Sequence, residues 1–186
     1  MQEAAPPPND EELIRAIEVS DRAAFKQLCA RYYDPLYRFL WRKTRNEEAA
    51  KDLVQELFMN LWKMRARLDE NLSIKAYLYR AANNLAINHL RKKILHQAHF
   101  SDDLADAPAG HSDEERELQE CLDEALQDLP EAQRTVFMLN RFEGLRYAEI
   151  AEALQISIKT VESRMSQTLK HLREKFGSRI KQSKAE

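Results

Sequence analysis

Asp52 and Glu56 lie four residues apart in DLVQELFMNLWK, so on a helix both carboxylates share one face. Paired carboxylates can hold a cation or move a proton, but a transition-metal site normally adds imidazole or thiolate ligands. No histidine falls in that segment, and Cys29 and Cys121 stand far apart without CxxC spacing. His89, His96 and His99 are close in sequence but straddle an expected helix end, and no nucleophile stands beside a partner base. The histidines therefore read as surface residues, and the chain is expected to be no enzyme and to carry no cofactor or metal. Asp52, Gln55, Glu56, Met59 and Lys63 instead form a polar stripe opposite Leu53, Val54, Leu57, Phe58, Leu61 and Trp62.

Two other segments carry chemistry suited to nucleic acid. Over Ser73 to Leu95, with Leu78, Ala82 and Leu85 inward, the outer stripe is Tyr77, Arg80, Asn84, Ile87, Asn88 and Arg91, followed by Lys92 and Lys93. Interleaved aromatic, amide and cationic groups suit unstacked bases, which need π surfaces and hydrogen-bond partners. The bland alternative is a structural helix with a basic end. In AEIAEALQISIKTVESRM, the second helical run turns outward Lys159, Glu162, Ser163, Ser166, Gln167, Lys170 and Arg173, with Thr160 near the edge. Hydroxyls and amides near a helix N-terminus can read base edges in the major groove, while cations further on hold phosphates. Glu162 is the exception: it repels phosphate but can accept from the cytosine amino group.

Positioning these groups requires helices almost throughout. Only three glycines occur, no run alternates convincingly, and good helix formers abound, so the class is all-α. Residues 1–20 read as a disordered tail and a short helix. A helix follows from about Asp21 to Arg45, with a kink or break expected at Asp34-Pro35. Asn46 caps a helix reaching about Arg67, with Glu47 and Glu48 in its first turn. After the turn RLDENLS, a third helix spans Ser73 to Leu95, and these three helices make a first domain over 21–95. Residues 96–112 lose the helical period and read as a linker. A second domain, 113–177, follows with helices at about Asp113–Asp128, Pro130–Glu143, Tyr147–Leu154 and Ile158–Phe176, and the polar end 178–186 is expected to fray.

Within the second domain, Ile150, Ala151 and Leu154 form one apolar face and Ile158, Val161, Met165, Leu169, Leu172 and Phe176 another. The three residues Gln155-Ile156-Ser157 are too few for comfortable antiparallel packing and suit a helix-turn-helix. Ser157 reads as the N-cap, with Ile156 and Val161 as a hydrophobic staple.

A net charge of −2 alone argues against a nucleic-acid partner, but its distribution does not. Ser73 to His96 holds five Lys/Arg and no acid, Ser101 to Glu131 twelve acids against Arg116, and Ile158 to Glu186 eight bases against three acids. Two basic surfaces flanking an acidic spacer fit polyanion binding. No run approaches the ~18 apolar residues of a membrane span, and MQEAAPPPNDEE lacks signal-peptide character, so no membrane insertion and a cytoplasmic location are expected.

Five stretches in this order, AFKQLCARYYDPLYRFL, DLVQELFMNLWK, KAYLYRAANNLAINHLRKK, LQDLPEAQRTVFMLNRFEGLRYAEIAEAL and ISIKTVESRM, resemble the extracytoplasmic-function branch of the sigma-seventy family of bacterial RNA polymerase factors. The resemblance covers Ala24 to Phe176 and implies a region-two domain and a region-four domain joined by a linker. It implies that Asp52, Leu53, Gln55 and Glu56 dock on the β′ clamp helices of core RNA polymerase. It further implies that RLDENLS with Tyr77, Arg80, Asn84, Asn88 and Arg91 recognises and opens the minus-ten element. Lys159, Thr160, Glu162, Ser163, Arg164, Ser166, Gln167 and Lys170 match the helix that reads the minus-thirty-five element. The β flap of polymerase, promoter DNA and an anti-sigma factor are the further partners implied.

Departures limit what transfers. Gln155 stands where relatives commonly carry glycine, and a left-handed backbone there would cost about 1 kcal/mol or more. Asn83 and Asn88 replace frequent Arg and Asp, so promoter preference does not follow from the resemblance. A stand-alone helix-turn-helix regulator, binding duplex DNA as a dimer, is the rival reading; it would not need Asp52 or Glu56.

Overall fold

The computed structural model describes residues 8–68, 73–97, 122 and 124–183. Its helices, in chain order, are α1 (Asp10–Glu18), α2 (Arg22–Thr44), α3 (Glu47–Met64), α4 (Ile74–Gln97), α5 (Glu131–Arg141), α6 (Tyr147–Leu154) and α7 (Ile158–Ser183), with a 3-10 turn at Arg65–Arg67. All regular structure among the described residues is helical. The chain divides into two compact units, Met1–Ala105 and Asp106–Glu186. α4 ends two residues into the expected linker; the rest of that linker and most of the helix expected over 113–128 lie outside the described residues, as does most of RLDENLS.

In the first unit, α2 packs against α1, α3 and α4, and α3 against α4. Each helix start is closed locally. Asn9 and Glu12 form a reciprocal capping box on α1, Asp21 Oδ1 accepts from Ala23 N–H at 2.7 Å, and Asn46 Oδ1 accepts from Ala49 N–H at 2.8 Å. The apolar face of each helix then meets the others: Ile17, Leu28, Leu36, Phe39, Leu40, Val54, Leu61, Leu78 and Ala82 are fully buried. Burial of each large side chain here is worth roughly 2 kcal/mol. Tyr79 is also buried, its ring edge-on to Phe39 at 5.4 Å. Leu85, expected inside, is only half-buried, and Ala86 takes the inner position.

Three further expectations need correction. The first domain has four helices, because α1 buries Leu13, Ile14 and Ile17. Of the kink or break expected at Asp34-Pro35, the break is absent: α2 continues through Pro35. A mid-helix proline costs about 3 kcal/mol, which the burial of Leu28 and Tyr32 before it and Leu36, Phe39 and Leu40 after it offsets. Finally, the fraying expected after Gly177 gives way to helix up to Ser183, since the polar residues beyond it are mostly acceptable helix formers.

In the second unit, α7 packs on both α5 and α6. The shared core includes Leu126, Val136, Leu139, Leu145, Ile150, Val161 and Met165. Gly144 has φ 66°, and the loop it forms is tied down where Asn140 Nδ2 donates to the Leu145 carbonyl at 2.9 Å.

Candidate nucleic-acid interface

The three residues between α6 and α7 are held by their own hydrogen bonds. Gln155 adopts φ 53°, ψ 46°; its N–H donates to the Glu152 carbonyl at 3.3 Å, and Ile156 N–H donates to the Ala151 carbonyl at 3.0 Å. This Schellman pairing ends α6 with a left-handed residue, a conformation that disfavours any side chain. Ser157 then opens α7: its Oγ accepts from Thr160 N–H at 3.1 Å and lies 2.8 Å from Thr160 Oγ1. Ile156 is half-buried and Val161 fully buried, as a staple requires.

The inward stripe of α7 departs from the expected one, and Leu169 and Phe176 within it are only half-buried. Ile158 is 49% exposed, and Thr168 is fully buried, its hydroxyl donating to the Arg164 carbonyl at 2.9 Å. That internal bond removes the cost of burying a hydroxyl at a helix-packing position. The outward face is otherwise as expected. Lys159, Glu162, Ser163, Ser166, Gln167 and Lys170 are exposed, while Thr160 and Arg164 are half-buried. Ser163, Gln167, Lys159 and Thr160 line an open groove together with Pro130, Ala132 and Gln133 at the start of α5. Gln133 was not singled out by the sequence; nothing local marks a glutamine that meets α7 34 positions later.

In the first unit, Asp52, Gln55, Glu56, Met59 and Lys63 all face solvent on α3. Met59 is 57% exposed, an apolar spot amid the polar stripe. Leu53 does not share that face: at 6% exposure it belongs to the domain's own core and supports the stripe from beneath. Among the described residues no group of three His, Cys, Asp or Glu is placed to hold a metal ion.

On α4, Asn84, Asn88 and Arg91 are exposed and Tyr77 and Arg80 half-buried. Burial raises the Tyr77 phenol above its ordinary pKa, and the Arg80 charge opposes that rise, so the hydroxyl stays protonated and able to donate. Arg80 Nε is buried with no hydrogen-bond partner. Near the end of α4, His89, Lys92 and Lys93 line a groove with Asn46 and Ala49 at the start of α3. Asn83, flagged in the sequence only as a departure, points inward and accepts from Lys43. No helix of the described residues is long and apolar enough to cross a membrane.

A helical unit carrying an exposed polar stripe, and a second one ending in a helix-turn-helix with an outward hydroxyl, amide and cation face, define a protein built to handle nucleic acid. Comparison with known proteins makes this specific. The models for Sigma-70 region 2 and Sigma-70 region 4 match residues 28–94 and 119–172. RNA polymerase sigma-H factor of Pseudomonas aeruginosa is 28% identical, covering 84% of this chain and 88% of that protein. The ECF RNA polymerase sigma factor SigW of Bacillus subtilis is 27% identical over 88% and 94% of the two chains. Among solved structures, the sigma factor RpoE of Bartonella quintana, in complex with the anti-sigma factor NepR, superposes with TM-score 0.69 at 26% identity, over 82% of this chain and 96% of that one. The chain belongs to the sigma-70 family of RNA polymerase sigma factors, in its extracytoplasmic-function branch. This membership favours an initiation factor over the stand-alone dimeric regulator.

Proposed function

We propose that the protein binds core RNA polymerase in the cytoplasm and directs initiation at particular promoters without any catalytic chemistry of its own. In this reading residues 21–95 form the polymerase and minus-ten module, 96–112 the linker and 113–177 the minus-thirty-five module. Asp52, Gln55 and Glu56 dock on the β′ clamp helices with Leu53 holding their helix in register, and the second module lies near the β flap. Tyr77, Arg80, Asn84, Asn88 and Arg91 capture bases of the opened minus-ten element; unstacking costs a few kcal/mol, which stacking and amide contacts offset. Arg80 supports this role as a half-buried cation on the helix that exposes Asn84 and Asn88.

The observation that carries the reading is the outward face of α7, whose polar side chains from Lys159 to Lys170 serve no core and stand ready for base edges and phosphates. An anti-sigma factor that covers these faces is the expected regulator, supported by the complex of the Bartonella relative. The test combines purified protein, core polymerase and a promoter library, with permanganate footprinting of unpaired thymines. A specific open complex that depends on the protein is expected; its absence under all conditions would overturn the proposal.

A further inference from the structure

Gln167 is braced at both ends of its amide. Gln133 Nε2, from α5, donates to Gln167 Oε1 at 2.7 Å, and Gln167 Nε2 donates to Ser163 Oγ at 3.3 Å. A glutamine amide offers two acceptor lone pairs and two N–H donors. With one of each used inside the module, one acceptor and one donor remain. That pair matches the N6 amino group and N7 of adenine in the major groove, whereas guanine presents two acceptors there.

We infer that Gln133 is a positioning residue that sets which end of the Gln167 amide accepts and which donates, and so makes α7 select adenine at one base pair of the upstream duplex. This deepens the reading of α7 as the duplex-reading helix and rests on it. An unbraced amide can turn over and exchange its oxygen for its nitrogen. Against adenine the turned amide sets donor against donor and acceptor against acceptor. In free protein the brace is exposed to water and holds weakly. A duplex laid over the groove excludes that water, strengthens the bond, and makes a mismatched donor costly. Gln133 performs this task in the orientation in which its Nε2 donates to Oε1; with its own amide turned over it would accept, as a carboxylate would, and would favour the reversed Gln167 amide.

The test selects bound sequences from a randomised upstream duplex with holoenzyme made from the full chain, in the wild type and in Gln133→Leu, Gln133→Lys and Gln167→Leu. One position of the wild-type pool is expected to favour adenine, and Gln167→Leu should lose that preference by about fivefold or more. Gln133→Leu should lose it at the same position, while leaving the thermal midpoint and the salt dependence unchanged because neither a core nor a phosphate contact is removed. Gln133→Lys, which restores a donor, should keep it. Retention of the preference in Gln133→Leu would overturn the brace alone. No change at any position in Gln167→Leu would overturn its reading of a base. A wild-type holoenzyme that selects no upstream sequence would overturn this inference together with the proposed role of α7.

Discussion

Lys43 is 7% exposed on α2, and its Nζ donates to Asn83 Oδ1 on α4 at 2.6 Å and lies 5.6 Å from the centre of the Phe39 ring. A buried ammonium needs acceptors, so this contact fixes the seating of α4, and with it the adjoining Asn84 and Arg80. Asn83→Ala should lower the stability of the first unit by about 2 kcal/mol, the usual cost of losing a hydrogen bond to a charged group. Lys43→Met should cost less, since it removes the charge along with the need for a partner. Trp41 and Trp62 are the two tryptophans of the chain, and both lie in the first unit, so urea unfolding followed by their fluorescence reports on it. An unchanged midpoint in Asn83→Ala would contradict the account.

Gln155 and Gly144 both have positive φ, but only one of them is suited to it. Gln155→Gly should stabilise the second unit by about 0.5–1 kcal/mol through relief of the left-handed strain, less the added chain entropy of glycine. Gly144→Ala should destabilise it by about 1 kcal/mol. No atom lies within 4 Å of the added Cβ, so that cost comes from the backbone alone. Amide hydrogen exchange in α5 to α7 measures both, and the two variants should move in opposite directions.

Asp52→Lys and Glu56→Lys alter exposed charges that no described hydrogen bond or ion pair uses. Each should leave the urea midpoint within about 0.5 kcal/mol of wild type. Affinity for core polymerase should fall about tenfold or more, with a loss that shrinks at high ionic strength if charge is its cause. Equal loss of stability and affinity would mean that the stripe supports the fold instead of a partner.

Burial pushes the half-buried Cys29 thiol up to about 11 from 9.0. The raised value means that folding disfavours the thiolate. The stabilising effect is complete below pH 9.0 and fades as the pH rises toward 11. At pH 8, Cys29 in a Cys121→Ser background should therefore react with a disulfide reagent far more slowly in the native protein than in urea. Equal rates would show that the thiol is neither buried nor shifted.

Much of the architecture was legible because it is settled within a turn or two of the chain. Asn46 and Ser157 cap their helices through bonds to residues three positions on, and the turn at Gln155 closes on Ala151 and Glu152. The α3 stripe and the outward face of α7 follow from helical periodicity alone. Errors arose where distant contacts decide. Pro35 stays helical because apolar residues on both sides of it are buried against other helices, and on α7 Thr168 is covered while Ile158 is left exposed because the line of approach of α5 and α6 selects which side of α7 is covered.

The order of the helices, their caps, the helix-turn-helix and the side chains turned outward were determined by the sequence by itself, through rules that act over three to five residues. Only the tertiary structure decided that Asn83 meets Lys43 across 40 positions and that Gln133 meets Gln167 across 34. The physical reason is that such pairs depend on how helices cross, which every core side chain sets jointly and no short segment encodes.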